Sequence, residues 1–204
     1  MSDWKTWTCS NGHTLRRTRT QCHHCREDRP TIAPIPTSHP LPDLPGFEDA
    51  LISAIDQAEQ SPCSKSKRGV TIWCATTGFI YGFGFNTPPP RFGCDGSYAC
   101  RHHCNKLCTH AELNAIMDCG TNGGYGNELL HVKVVDGHTA TSGPPSCWQC
   151  SRQIVDAGID GVWLLHDAGW KRYTAEEFHE ATLRHCELPV IRAAKSTKER
   201  KDHV

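Results

Sequence analysis

Apolar residues Phe47, Leu51, Ile52 and Ile55 recur at the spacing of one helical face, with Gly46 ahead of them and Ser61-Pro62 closing the run. They predict a first helix. Val70-Thr71-Ile72-Trp73-Cys74-Ala75 and Phe79-Ile80-Tyr81-Gly82-Phe83-Gly84-Phe85 are β-rich runs joined by Thr76-Thr77-Gly78, which predicts a hairpin. Beyond a loop rich in Pro, Cys and His, a helix is expected from near Thr109 to near Gly120. Residues 131–135 read as a buried strand, 147–157 as a helix stopped by Gly158, and 161–165 as another strand. Residues 175–186 are expected to be helical, with Phe178, Ala181, Thr182 and His185 on one side, and Leu188-Pro189-Val190-Ile191 to form a last strand. The order α-β-β-α-β-α-β-α-β predicts an α/β fold, a mixed sheet with helices on both faces.

Outside this periodic part the pattern changes. From Pro30 to Pro45, six prolines fall in 16 residues without apolar periodicity, which predicts a semi-extended linker over 30–45. Ahead of it, residues 1–29 hold Cys9, His13, Cys22 and Cys25, two ligand pairs suited to one tetrahedral structural zinc, with His23 or His24 as alternates to His13. That stretch resembles a zinc ribbon of the Trp-x-Cys-x-x-Gly-His type, in which metal substitutes for a hydrophobic core. The main domain is therefore expected over 46–191, followed by a basic tail over 192–204.

Lys plus Arg and Asp plus Glu both number 22, so net charge gives no case for a nucleic-acid or membrane partner. The ends are less even: residues 1–30 carry six basic and three acidic side chains, and 192–204 carry five and two. No apolar run reaches the ~18 residues of a membrane span, and Met1-Ser2-Asp3-Trp4 lacks a signal peptide's apolar core. A cytoplasmic protein is expected. Its 13 Cys and 13 His then point to reduced, metal-binding thiols rather than to a disulfide framework.

Two stretches carry the chemistry. His110-Ala111-Glu112 and, downstream, Cys147-Trp148-Gln149-Cys150 form the pattern used by zinc deaminases of nucleobases. If each opens a helix, Cys147 and Cys150 share a face and reach one ion together with His110. The positive end of a helix favours the thiolates that zinc requires. Three protein ligands leave one position open, the condition for a catalytic zinc that acidifies water from ~15.7 to about 7. Glu112, two residues from His110, is poorly placed as a fourth ligand and suited to shuttle protons beside that water.

Residues 46–191 resemble the cytidine deaminase superfamily, and within it the deoxycytidylate (dCMP) deaminases. Four stretches carry the resemblance: Ser61-Pro62-Cys63 ahead of Arg68-Gly69-Val70; Gly84-Phe85-Asn86-Thr87-Pro88; Cys108-Thr109-His110-Ala111-Glu112-Leu113-Asn114-Ala115-Ile116-Met117; and Cys147-x-x-Cys150 followed by Ile154 and Ala157-Gly158-Ile159. The resemblance implies a three-layer α-β-α sandwich with a mixed five-stranded sheet, the small N-terminal zinc ribbon standing apart from it. It implies that Asn86 hydrogen-bonds the sugar, that the Ala111 amide holds the pyrimidine edge, and that such domains assemble as homo-oligomers. Thr87 stands where the family has Gly, and Ser146 separates Pro145 from Cys147. Cys63 and Cys94 match positions that in phage-type members bind a second, structural zinc. Cys100 and Cys104 would complete it, with His102 or His103 as alternates. Cys74, Cys119 and Cys186 are expected to be free buried thiols, and Cys108 is either a core thiol or a member of the cluster.

Three functions follow. The first is hydrolysis of dCMP to dUMP and ammonia, with one catalytic and up to two structural zincs, and with Arg91, Arg101, Lys106, Lys171 and Arg172 as candidate phosphate ligands. The second is deamination of a base in a polynucleotide, bound by the ribbon and tail, with Trp148, Trp170 and Tyr173 to stack it. The third is a non-catalytic zinc module, against which Glu112 argues because a structural site needs no proton shuttle.

Overall fold

The computed structural model describes residues 6–8, 14–16, 39–89 and 92–188. Near the start, β1 (Thr6–Thr8) and β2 (Thr14–Arg16) pair antiparallel with Trp7 opposite Leu15. The expected ribbon ligands Cys9, His13, Cys22 and Cys25 lie outside the described residues.

The main sheet comprises β3 (Lys67–Trp73), β4 (Ile80–Phe85), β5 (Glu128–Val135), β6 (His138–Ala140), β7 (Gly161–His166) and β8 (Gly169–Thr174). Its order is β4-β3-β5-β7-β8, with β6 folded back on β5. β5 and β7 are parallel and the other pairs antiparallel, so the sheet is mixed, as the element order predicts. Because side chains alternate along a strand, each strand serves two cores. Trp73, Leu130, Val132, Val134 and Trp163 face α1 (Phe47–Gln60). Val70, Ile72, Leu129, Val162 and Leu164 face the other layer: α3 (Ala111–Gly123), α4 (Trp148–Asp156) and α5 (Ala175–His185). On the α1 side, Phe47 meets Trp73, Trp163 and Trp170 edge-on, with centroids 5.8, 5.2 and 5.3 Å away. No helix among the described residues is long and apolar enough to cross a membrane.

Three expectations need correcting. Among the described residues the sheet's last strand is β8, which is absent from the expected element order; of the expected strand over 188–191, Leu188 is outside any strand and 189–191 lie outside the described residues. β8 pairs with β7 along its whole length, and Arg172 anchors it through two hydrogen bonds to Glu128, at 2.9 and 2.6 Å. The sheet has six strands rather than five, because Asp136 and Gly137 turn the chain back into β6. Finally, the segment expected as loop contains α2 (Tyr98–Leu107), started by the Ser97 side chain, which accepts the Cys100 N–H at 3.1 Å. α3 is expected to end near Gly120; there, at φ 72, the helical geometry is interrupted, and the element continues to Gly123.

Candidate active site

The entries of α3 and α4 converge. His110 is the N-cap of α3, and its imidazole makes no capping hydrogen bond, so the ring is free for another partner. Nδ1 lies 3.1 Å from the sulfur of Cys150. Cys147 caps α4, its sulfur accepting the Cys150 N–H at 3.2 Å, which brings the two sulfurs into contact. A Cys-x-x-Cys pair is equally able to close as a disulfide. The imidazole aimed at the same sulfur supplies a third donor atom to the pair. The ligand atoms of His110, Cys147 and Cys150 lie within 4.8 Å of one another, and one nitrogen with two sulfurs suits zinc. These three residues would hold it.

Close packing sets this geometry. Gly84 lies under α3, where a Cβ would sit 2.5 Å from the Ala115 nitrogen, and Asn114 Nδ2 donates to the Phe85 carbonyl at 2.7 Å. Thr87 and Thr109 exchange backbone hydrogen bonds of 3.0 and 2.9 Å, which clamp the end of β4 to the entry of the catalytic helix. Gly84→Ala is therefore expected to destabilise the protein by about 1–3 kcal/mol. Urea titration would read this as a lower midpoint at unchanged slope.

His110 and Cys147 border a cavity of about 420 Å³ that Glu112, Ala111, Asn86, His131, Arg68 and Lys133 also line. Burial favours the neutral acid for Glu112, but His131, His110, the backbone and Arg68 outweigh it and hold the carboxyl below the usual carboxylate range. Burial pushes His131 down to about 4 despite the attraction of Glu112, so its ring is neutral near pH 7 and the standing positive charge is that of Arg68. Burial also lowers the Arg68 pKa, against the pull of Glu112 and Cys63, although arginine stays charged. Ala111, at the first turn of α3, has an amide that its own helix leaves unpaired. Asn86 is partly committed: Oδ1 accepts from the Arg68 N–H (2.8 Å) and Ser61 Oγ (2.9 Å), while Nδ2 donates to the Ser66 carbonyl (3.0 Å). One Nδ2 hydrogen remains.

The second group of thiols gathers beside the cavity, and Cys63, Cys104 and Cys108 line it. Cys94 and Cys100 sulfurs are 3.7 Å apart, and Ser64 Oγ is 3.7 Å from Cys94. Hydrogen bonds from Ser64 bring the Cys94 thiol down to about 7 against its burial. Burial and Cys104, with Cys63 and Cys94 behind it, push Cys108 up to about 12. Cys108 is partly buried and lines the cavity beside Cys63 and Cys104, whereas Cys63, Cys94, Cys100 and Cys104 do not form a tight group of three or more ligand atoms among the described residues. Of the thiols expected to be free and buried, Cys74, Cys119 and Cys186 are free but only partly buried.

The expected phosphate ligands fare less well. Arg172 is bound to Glu128, Lys171 lies over the Tyr173 ring at 4.2 Å, and neither lines the cavity. Arg91 and the side chains of Arg101 and Lys106 lie outside the described residues. The three aromatic stacking candidates are also away from the cavity lining, and Trp170 packs into the α1 core. Sequence reasoning missed Lys65, Arg68, Lys133 and His131, which do line it. None of these cations forms a salt bridge with a carboxylate of the described residues. The available signal was a polar residue at an inward position of an apolar strand: Arg68 before Val70 and Ile72, and His131 and Lys133 after Leu129.

No protein-family model matches the chain, and no curated protein matches it. Among solved structures, it is similar to the apo dCMP deaminase of the cyanophage S-TIM5, at 24% identity, over 56% of this chain and 78% of that one, with a TM-score of 0.40. The same phage's dCMP deaminase in complex with dCMP and dUMP is 27% identical, over 53% and 74%, with a TM-score of 0.36. A cytidine deaminase from Burkholderia pseudomallei is 18% identical, over 63% and 92%, with a TM-score of 0.44. The chain is similar to pyrimidine deaminases. Its own residues decide the chemistry of the site.

Proposed function

We propose that the protein is a zinc-dependent hydrolase that deaminates a cytosine nucleotide, converting dCMP and water to dUMP and ammonia. The observation that carries this reading is the convergence of His110, Cys147 and Cys150 at a cavity that also holds the carboxylate of Glu112. Zinc held there would supply Lewis acidity toward water. The chain's own groups do the rest. Glu112 takes one proton of the attacking water and passes it to the pyrimidine ring nitrogen as the C4–O bond forms, then takes the proton of the new C4 hydroxyl and delivers it to the amino group as the C4–N bond breaks and the carbonyl forms. The Ala111 amide holds the base edge, and the spare Nδ2 hydrogen of Asn86 meets the sugar. Arg68 and Lys133, paired across β3 and β5, with Lys65 nearby, meet the 5′-phosphate. Arg68, partly buried and short of a salt bridge, with half-buried Lys133 and exposed Lys65 on the same wall, favours an anionic substrate over a neutral nucleoside.

The same reading takes Cys63, Cys94, Cys100 and Cys104 as a structural zinc site, and residues 1–29 as a ribbon joined by the 30–45 linker to the 46–191 domain. No observation favours the polynucleotide alternative, whose ribbon ligands and basic tail lie outside the described residues.

The test offers purified protein dCMP, cytidine and a cytosine-containing single strand while ammonia release is followed. Turnover of dCMP well above cytidine is expected, and Arg68→Met should remove most of that preference by raising KM for dCMP alone. Turnover of the strand without dCMP would sink the nucleotide reading.

A further inference from the structure

One polar side chain on the cavity wall has unfinished hydrogen bonding. His131 is 5% exposed, lines the cavity, and has a buried Nδ1 with no hydrogen-bond partner. An imidazole nitrogen left unpaired in a protein interior is destabilising and calls for a water or a ligand; of the five buried unpaired side-chain atoms among the described residues, the His131 nitrogen is the one whose residue lines the cavity. Strand register locates it. Arg68 pairs with Lys133 across β3 and β5, and Val70 with His131, so on the cavity side His131 stands one step inward from the cation pair. It lines the same cavity as Glu112, Arg68 and Lys133 and interacts electrostatically with Glu112, Arg68 and His110.

A nucleoside monophosphate with its base at Glu112 and its phosphate at Arg68 and Lys133 lays its sugar over that position. Asn86 alone leaves the sugar incompletely paired, because its side-chain oxygen accepts the Arg68 N–H and shares the single Ser61 hydroxyl hydrogen with its own backbone carbonyl, and only one amide hydrogen is spare. A hydroxyl both accepts and donates. We infer that His131 is a specificity-determining residue whose imidazole accepts the 3′-hydroxyl proton of the bound deoxynucleotide while Asn86 donates to the same oxygen. This assignment rests on the nucleotide reading above.

The test compares turnover of dCMP and 2′,3′-dideoxycytidine monophosphate, and calorimetric binding of dUMP and its dideoxy counterpart, in wild type, His131→Leu and His131→Gln. Wild type should favour the 3′-hydroxylated compounds by about tenfold, the size of one buried hydrogen bond. His131→Leu should lose most of the preference, chiefly through KM, keeping only what the Asn86 amide supplies, and His131→Gln should recover part of it. A purely structural role would slow both substrates equally and keep the ratio. His131→Leu turning over dCMP with the wild-type preference intact overturns the inference and leaves the nucleotide reading standing. Wild type that neither deaminates dCMP nor binds dUMP overturns both. Should His131→Leu not fold, the Gln variant decides: a preference equal to wild type in turnover and in binding overturns the inference, and a reduced one supports it.

Discussion

Glu112→Ala is expected to lower kcat by roughly 10²–10⁴-fold, the usual worth of a positioned general acid–base, while the bound zinc stays in place. Glu112 lies in the first turn of α3, two residues past His110, and lines the cavity without joining the three-ligand group. Its carboxyl is held below the usual range, so it is ionised near neutral pH and able to accept a proton. Glu112→Gln should be nearly as slow as Ala, because it keeps the shape and the hydrogen bonding but carries no proton. Elemental analysis beside steady-state kinetics separates the roles: loss of zinc together with activity would make Glu112 part of the metal site, and unchanged turnover would refute the mechanism.

The parts of the fold that were legible are those where periodicity is strong. α1, the β3–β4 hairpin and α5 follow apolar patterns that burial enforces. α2 lacks an apolar stripe, since Cys100, Cys104 and Cys108 take the positions where Leu or Ile would announce a helix. β8 alternates Trp170, Arg172 and Lys171, Tyr173 with no apolar majority, and depends on the Glu128 carboxylate, 44 residues from Arg172. A residue that finds its partner so far along the chain leaves no local signal.

The site divides in the same way. His110, Cys147 and Cys150 were legible because ligand spacing within each segment is short and the chemistry restricts residue type. The cationic wall was not, because Arg68 and Lys133 meet only through strand register, 65 positions apart. That wall carries the case for an anionic substrate. Short-range motifs therefore carry the ligand set, and long-range strand pairing builds the charged wall beside it.

Cys150→Ala should remove one zinc per chain and abolish deamination together. Cys150 is 1% exposed and central to the site: its sulfur touches that of Cys147 and lies 3.1 Å from His110 Nδ1. Among the described residues these three ligand atoms form the one group of its kind. Wild type should carry up to three zincs, and a value near one would remove both structural sites. Because a ligand bound only by the folded state stabilises it by about 4.1 kcal/mol at a thousandfold excess over Kd, chelator should lower the wild-type melting temperature, and by less in Cys150→Ala. Thiol titration in denaturant without reductant decides between a metal pair and a disulfide. All 13 cysteines should react once chelator has stripped the metal. A shortfall that maps to Cys147 and Cys150 would show that these sulfurs are bonded to each other and that the catalytic reading is wrong, because a disulfide leaves His110 alone to hold the ion.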